Sequence, residues 1–110
     1  MGSGFVIVAR KSELPVGKMK VVTVDGKEVL IANVNGTYYA IGNKCTHANV
    51  DLSRGSLEGN VVTCPKHAAK FDVTNGRVVA PPKVRLVHPK IRDESSYQVK
   101  VVNENIMLKL

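Results

Sequence analysis

Turn-forming residues set between β-branched runs confine this chain to an antiparallel, all-β architecture. Asp25-Gly26 and Asn35-Gly36 are pairs that adopt the positive φ angles of a two-residue hairpin turn, and Thr74-Asn75-Gly76 is a three-residue version. Residues 21–24 and 29–32 flank the first turn, residues 37–41 follow the second, and residues 70–73 and 77–79 flank the third. Residues 5–9, 61–63, 84–91, 97–102 and 106–110 supply the remaining predicted strands. No stretch holds apolar residues at helical spacing for long enough to make a helix. Residues 13–17 read as a turn-rich connection and residues 51–60 as irregular, and Pro81-Pro82 interrupts because proline donates no ladder hydrogen bond.

With 110 residues, 44% of them hydrophobic, residues 1–110 make one domain, small enough for a bound metal group to matter to its stability. No apolar run approaches the roughly 20 residues that span a bilayer. The opening Met1-Gly2-Ser3-Gly4-Phe5 lacks the basic and apolar regions of a signal peptide, so the expectation is a soluble, cytoplasmic monomer. A net charge of +7 would permit binding to nucleic acid, anionic lipid or an acidic protein. Scattered cations, only five aromatics and the lack of a recognition helix argue against nucleic acid. A basic solvated surface and a patch for docking a protein partner both stay open.

Both cysteines of the chain lie in short loops that also carry a histidine, Cys45-Thr46-His47 and Cys64-Pro65-Lys66-His67. One disulfide would be a poor framework for a cytoplasmic chain, so the thiols read as metal ligands. Neither loop is long enough to enclose a metal alone, whereas two loops packed face to face supply four ligands. A zinc finger usually groups its cysteines on one loop and its histidines on the other. Mixed loops suit a two-iron cluster with one thiolate-bound and one histidine-bound iron, the latter accepting an electron more readily. A zinc-stabilised β binding module using the same four residues is the alternative. His88 lies outside both loops and reads as structural or exposed. Asp51, Asp72 and the other carboxylates show no pairing that suggests acid-base catalysis.

The pattern C-x-H, sixteen residues, C-x-x-H, continued by Ala68-Ala69-Lys70-Phe71-Asp72, Gly76 and Pro81-Pro82, closely resembles the Rieske 2Fe-2S proteins over nearly the whole chain. The resemblance implies an antiparallel β sandwich or open barrel with a small inserted cluster-binding subdomain, approximately residues 43–83. It implies that Cys45 and Cys64 bind one iron and His47 and His67 the other, with Pro81 and Pro82 covering one side of the cluster. The histidines would lie near the surface, where electrons leave.

High-potential members of that family carry a disulfide where this chain has Val50 and Lys66. They also place serine and tyrosine hydroxyls against the cluster where it has Ala69 and Phe71. Hydrogen bonds to sulfur stabilise the added electron, so their loss implies a potential toward the low end of the Rieske range of about −150 to +300 mV. Lys44, Lys66 and Lys70 oppose this through screened, exposed charge. Two residues depart from the family pattern, Ala68 in place of a common glycine and Lys66 in place of a frequent aromatic.

The function implied is that of a disulfide-free ferredoxin, a soluble one-electron carrier between a reductase and an acceptor such as an oxygenase, and not a stand-alone enzyme. An oxygenase component would need a further domain for its second iron site. The other alternative is a small non-catalytic subunit of a larger oxidoreductase.

Overall fold

The computed structural model describes residues 4–46, 50–66, 68–81 and 91–110. Among these residues the chain forms two antiparallel sheets. The larger contains β1 (Phe5–Arg10), β2 (Met19–Val24), β3 (Lys27–Val34), β4 (Thr37–Gly42), β9 (Ser96–Val102) and β10 (Asn105–Lys109), in the order β1-β10-β9-β4-β3-β2. The smaller contains β5 (Ser56–Glu58), β6 (Val61–Thr63), β7 (Lys70–Asp72) and β8 (Val78–Ala80), in sequential order. The all-β, antiparallel expectation holds. No helix of the described residues is long and apolar enough to cross a membrane.

The predicted turns do the work their chemistry suggests. Asp25 and Gly26 take φ of 51° and 78° between the paired residues Val24 and Lys27, and Asn35 and Gly36 take 54° and 94° between Val34 and Thr37. Positive φ at both central residues matches the turn to the twist of the flanking strands.

The uninterrupted run Val29-Leu30-Ile31-Ala32 is explained by burial on both faces of β3. Val29 and Ile31 pack with Tyr38, Ala40, Ile106 and Leu108, whereas Leu30 and Ala32 pack with Ile41, Leu52, Val62, Phe71 and Val73. The second of these cores joins the two sheets, and it also contains both cysteines.

Residues 51–60 are more ordered than expected. They hold a 3₁₀ turn at Leu52–Arg54 and then β5, which pairs with β6 through Ser56 and Thr63, Leu57 and Val62, and Glu58 and Val61. A single apolar residue in Ser56-Leu57-Glu58 gives no alternating pattern, so this pairing comes from tertiary contact. Gly55 permits it, since a Cβ there would collide with the carbonyl of Thr63. The strand expected over 84–91 lies mostly outside the described residues, and Ile91 belongs to no strand.

Candidate metal centre

Each cysteine stands where a hairpin opens into its tip. At the first loop, Lys44 bridges Asp51 and the Cys45 N–H donates to the carbonyl of Val50 at 2.8 Å. At the second, Thr63 pairs with Lys70 and the Cys64 N–H donates to the carbonyl of Ala69 at 2.7 Å. Both loops are thus closed by a cysteine N–H bonding to the carbonyl five residues on. His47 and His67 fall between these closing residues in sequence, and, like Pro82 and His88, they lie outside the described residues.

The two sulfurs converge. Cys45 and Cys64 are each only 1% exposed, their side chains face one another, and the Lys66 N–H faces the Cys64 sulfur. Burial pushes the Cys64 thiol up from its ordinary range. Two adjacent thiolates in an apolar core need a compensating cation, and soft thiolate donors suit iron bound as an iron-sulfur cluster. The described part of the donor set therefore fits the group that the sequence suggests.

Side chains that the sequence did not single out hold the first loop. Asn43 is fully buried; its Nδ2 donates to Glu28 at 3.0 Å, its Oδ1 accepts from the Ser53 N–H at 3.2 Å, and its carbonyl accepts from the Leu52 N–H at 2.7 Å. The Thr46 hydroxyl donates to the carbonyl of Arg92 at 2.6 Å. Lys44 bonds to Asp51 and approaches Glu28 at 3.6 Å, so its charge is largely answered locally. Ala69 and Phe71 are fully buried in the core that contains the cysteines, while Val50 packs against its side and Lys66 is exposed.

Ala68 has φ of 57°, a left-handed conformation that disfavours any residue with a Cβ by about 1–2 kcal/mol. Glycine would remove that strain but lose some of the gain through unfolded-state entropy. Ala68→Gly is expected to stabilise the protein by roughly 0.5–1 kcal/mol in chemical denaturation with the visible spectrum unchanged.

Glu94 is 8% exposed, and burial pushes its carboxyl up to about 7 from an ordinary 4.5, against the opposing effects of the Thr46 N–H and the charge of Arg92. The folded state then keeps a proton that the unfolded chain releases. The resulting stability is full below pH 4.5 and is lost as the pH rises toward 7. Glu94→Gln is expected to abolish this loss. The difference at pH 8 would be about 2 kcal/mol, allowing for screening from the adjoining cavity, and urea unfolding at pH 5 and pH 8 measures it.

Two antiparallel sheets joined by a shared core, with a buried thiol pair presented by two hairpin loops closed in the same way, define a thiolate-held metal centre. Residues 4–103 match the Rieske 2Fe-2S domain, and the chain belongs to that family and carries a Rieske-type 2Fe-2S cluster. It is 36% identical over its full length to the ferredoxin component of naphthalene 1,2-dioxygenase/salicylate 5-hydroxylase systems from Ralstonia sp., covering 99% of that protein. It is 37% identical over 98 residues to the ferredoxin component of the naphthalene 1,2-dioxygenase system from Pseudomonas aeruginosa, which covers 89% of this chain and 88% of that protein. Among solved structures, the ferredoxin of carbazole 1,9a-dioxygenase from Nocardioides aromaticivorans IC177 superposes with a TM-score of 0.85 at 30% identity, covering 97% of this chain and 98% of that one.

Proposed function

We propose that the protein is a soluble one-electron carrier that takes electrons from a reductase and delivers them to an acceptor such as an oxygenase, without transforming a substrate itself. The observation that carries this reading is the convergence of two buried cysteine side chains, in a chain related over its full length to a dioxygenase ferredoxin component. In the proposed ligand set, Cys45 and Cys64 hold one iron and His47 and His67 the other, within a cluster-binding subdomain of approximately residues 43–83 in a single domain. When bound, the cluster supplies a one-electron couple.

The chain's own part is to set access and potential. Packing by Leu52, Val62 and Phe71 keeps water from the thiolate side. The Lys66 N–H favours negative charge on the Cys64 sulfur, whereas Ala69 and Phe71 offer no side-chain donor. The relatives are components of multiprotein systems, and this reading places the chain in the cytoplasm as a monomer that meets its partners transiently.

Anaerobic reduction followed by mixing with cytochrome c tests the proposal. One cytochrome reduced per cluster is the expected stoichiometry. Dioxygen-dependent turnover of an aromatic substrate by the isolated protein, or failure to return the electron, would contradict it.

A further inference from the structure

The segment Arg92-Asp93-Glu94-Ser95 belongs to no strand, yet it ties the first ligand loop to both sheets. The Thr46 hydroxyl donates to the Arg92 carbonyl at 2.6 Å, and the Gly42 N–H at the end of β4 donates to the Ser95 carbonyl at 2.9 Å. On the other side, the Glu94 N–H donates to the Gly76 carbonyl at 2.7 Å, and the Val78 N–H donates to Asp93 Oδ1 at 2.9 Å. Glu94 occupies the middle of this strap, with its carboxylate facing the N–H of Thr46 between Cys45 and His47.

Its neighbours leave room for it. A Cβ on Gly42 would lie 2.6 Å from Glu94 Oε1, and one on Gly76 would collide with the Glu94 carbonyl. The carboxylate forms part of the wall of a cavity of about 370 Å³ shared with Glu28, Asn43, Lys44 and Tyr97. Its Oε2 is buried and has no hydrogen-bond partner among the described residues.

We propose that Glu94 is a positioning residue for the cluster, its carboxylate fixing the backbone at Thr46 and holding a negative charge beside the first ligand loop that lowers the reduction potential. This rests on the electron-carrier reading. The direction follows from charge: electron uptake makes the cluster more negative, and a fixed anion nearby opposes it. The strap that carries Glu94 is bonded to Thr46, the residue next to Cys45, which places the carboxylate close to the ligand loop.

The test separates charge from reach, using the cluster-loaded protein at pH 8.5, where the carboxylate is ionised. Glu94→Gln keeps an acceptor for the Thr46 N–H but removes the charge. It is expected to shift the reduction equilibrium roughly tenfold toward the reduced form, 59 mV for a one-electron couple, with hydrogen exchange of residues 43–50 no faster than in wild type. Glu94→Asp keeps the charge but falls short of Thr46, so exchange in that segment should accelerate while the potential stays within threefold of wild type in equilibrium terms. A Glu94→Gln potential equal to that of wild type, or unchanged exchange in Glu94→Asp, would overturn the inference. Should Glu94→Gln not retain the cluster, Gly42→Ala supplies the second reading. Displacement of the carboxylate is then expected to speed exchange over residues 43–50, and unchanged exchange would overturn the inference. If the wild type itself shows no one-electron couple, the carrier reading has failed rather than the role of Glu94.

Discussion

Cys64→Ala is expected to produce a folded but colourless protein, its iron and sulfide falling from two of each per chain to none. No side chain can stand in for the lost sulfur. Cys45 is the only other cysteine, and in the proposed set it already holds the same iron. Among the described residues, Leu30, Leu52, Val62 and Phe71 pack in the core that holds Cys64, which hinders an external thiol from reaching the vacated position. Metal binding adds its free energy to folding, and losing it is expected to lower the melting temperature by about 10 °C or more for a chain of this size. Lys66→Ala is the control, since its side chain is exposed and the backbone N–H facing the sulfur remains. Metal and sulfide analysis beside thermal melting reads both effects. A variant that keeps a full complement of iron and sulfide would remove Cys64 from the ligand set.

Combining Ala69→Ser with Phe71→Tyr is expected to raise the midpoint potential by about 100 mV. Both positions are fully buried within the core that holds the cysteines, and the Ala69 carbonyl accepts the Cys64 N–H, which places this residue beside the Cys64 backbone. A hydrogen bond to a charged acceptor contributes about 1.5–3 kcal/mol, and 1.4 kcal/mol corresponds to about 59 mV for one electron. One such bond that strengthens on reduction is therefore enough for the expected shift. Phe71→Leu changes packing without adding a donor and should leave the potential near that of wild type. A double variant that keeps its cluster and shows no shift would mean that side-chain donors at these positions do not set the potential.

What could be read from the sequence follows from how local each constraint is. Asp25-Gly26 and Asn35-Gly36 announced their hairpins because positive φ at two successive positions excludes most residues. The meeting of the two cysteines was also legible, since each sits in a short cluster of metal-ligand residue types. Strand β5 was not legible because Ser56-Leu57-Glu58 has no pattern of its own and depends on pairing with β6. Asn43 and Glu94 were hidden for the same reason. Asn43 looks like an ordinary post-strand polar residue, and Glu94 lies 48 residues from Thr46 in a charged stretch that reads as solvated surface. Their importance arises only when the strap after residue 91 meets the first loop. Gly42 carried a faint signal, a glycine at the end of β4 that no turn requires.

The most direct test of the central claim is a redox titration of the purified protein followed by visible absorption and electron paramagnetic resonance. The expected result is a single one-electron transition of a histidine-ligated 2Fe-2S cluster, with a midpoint near the low end of the range of about −150 to +300 mV. A midpoint well above zero would contradict the low-potential assignment, and a colourless zinc protein with no transition would contradict the electron carrier itself.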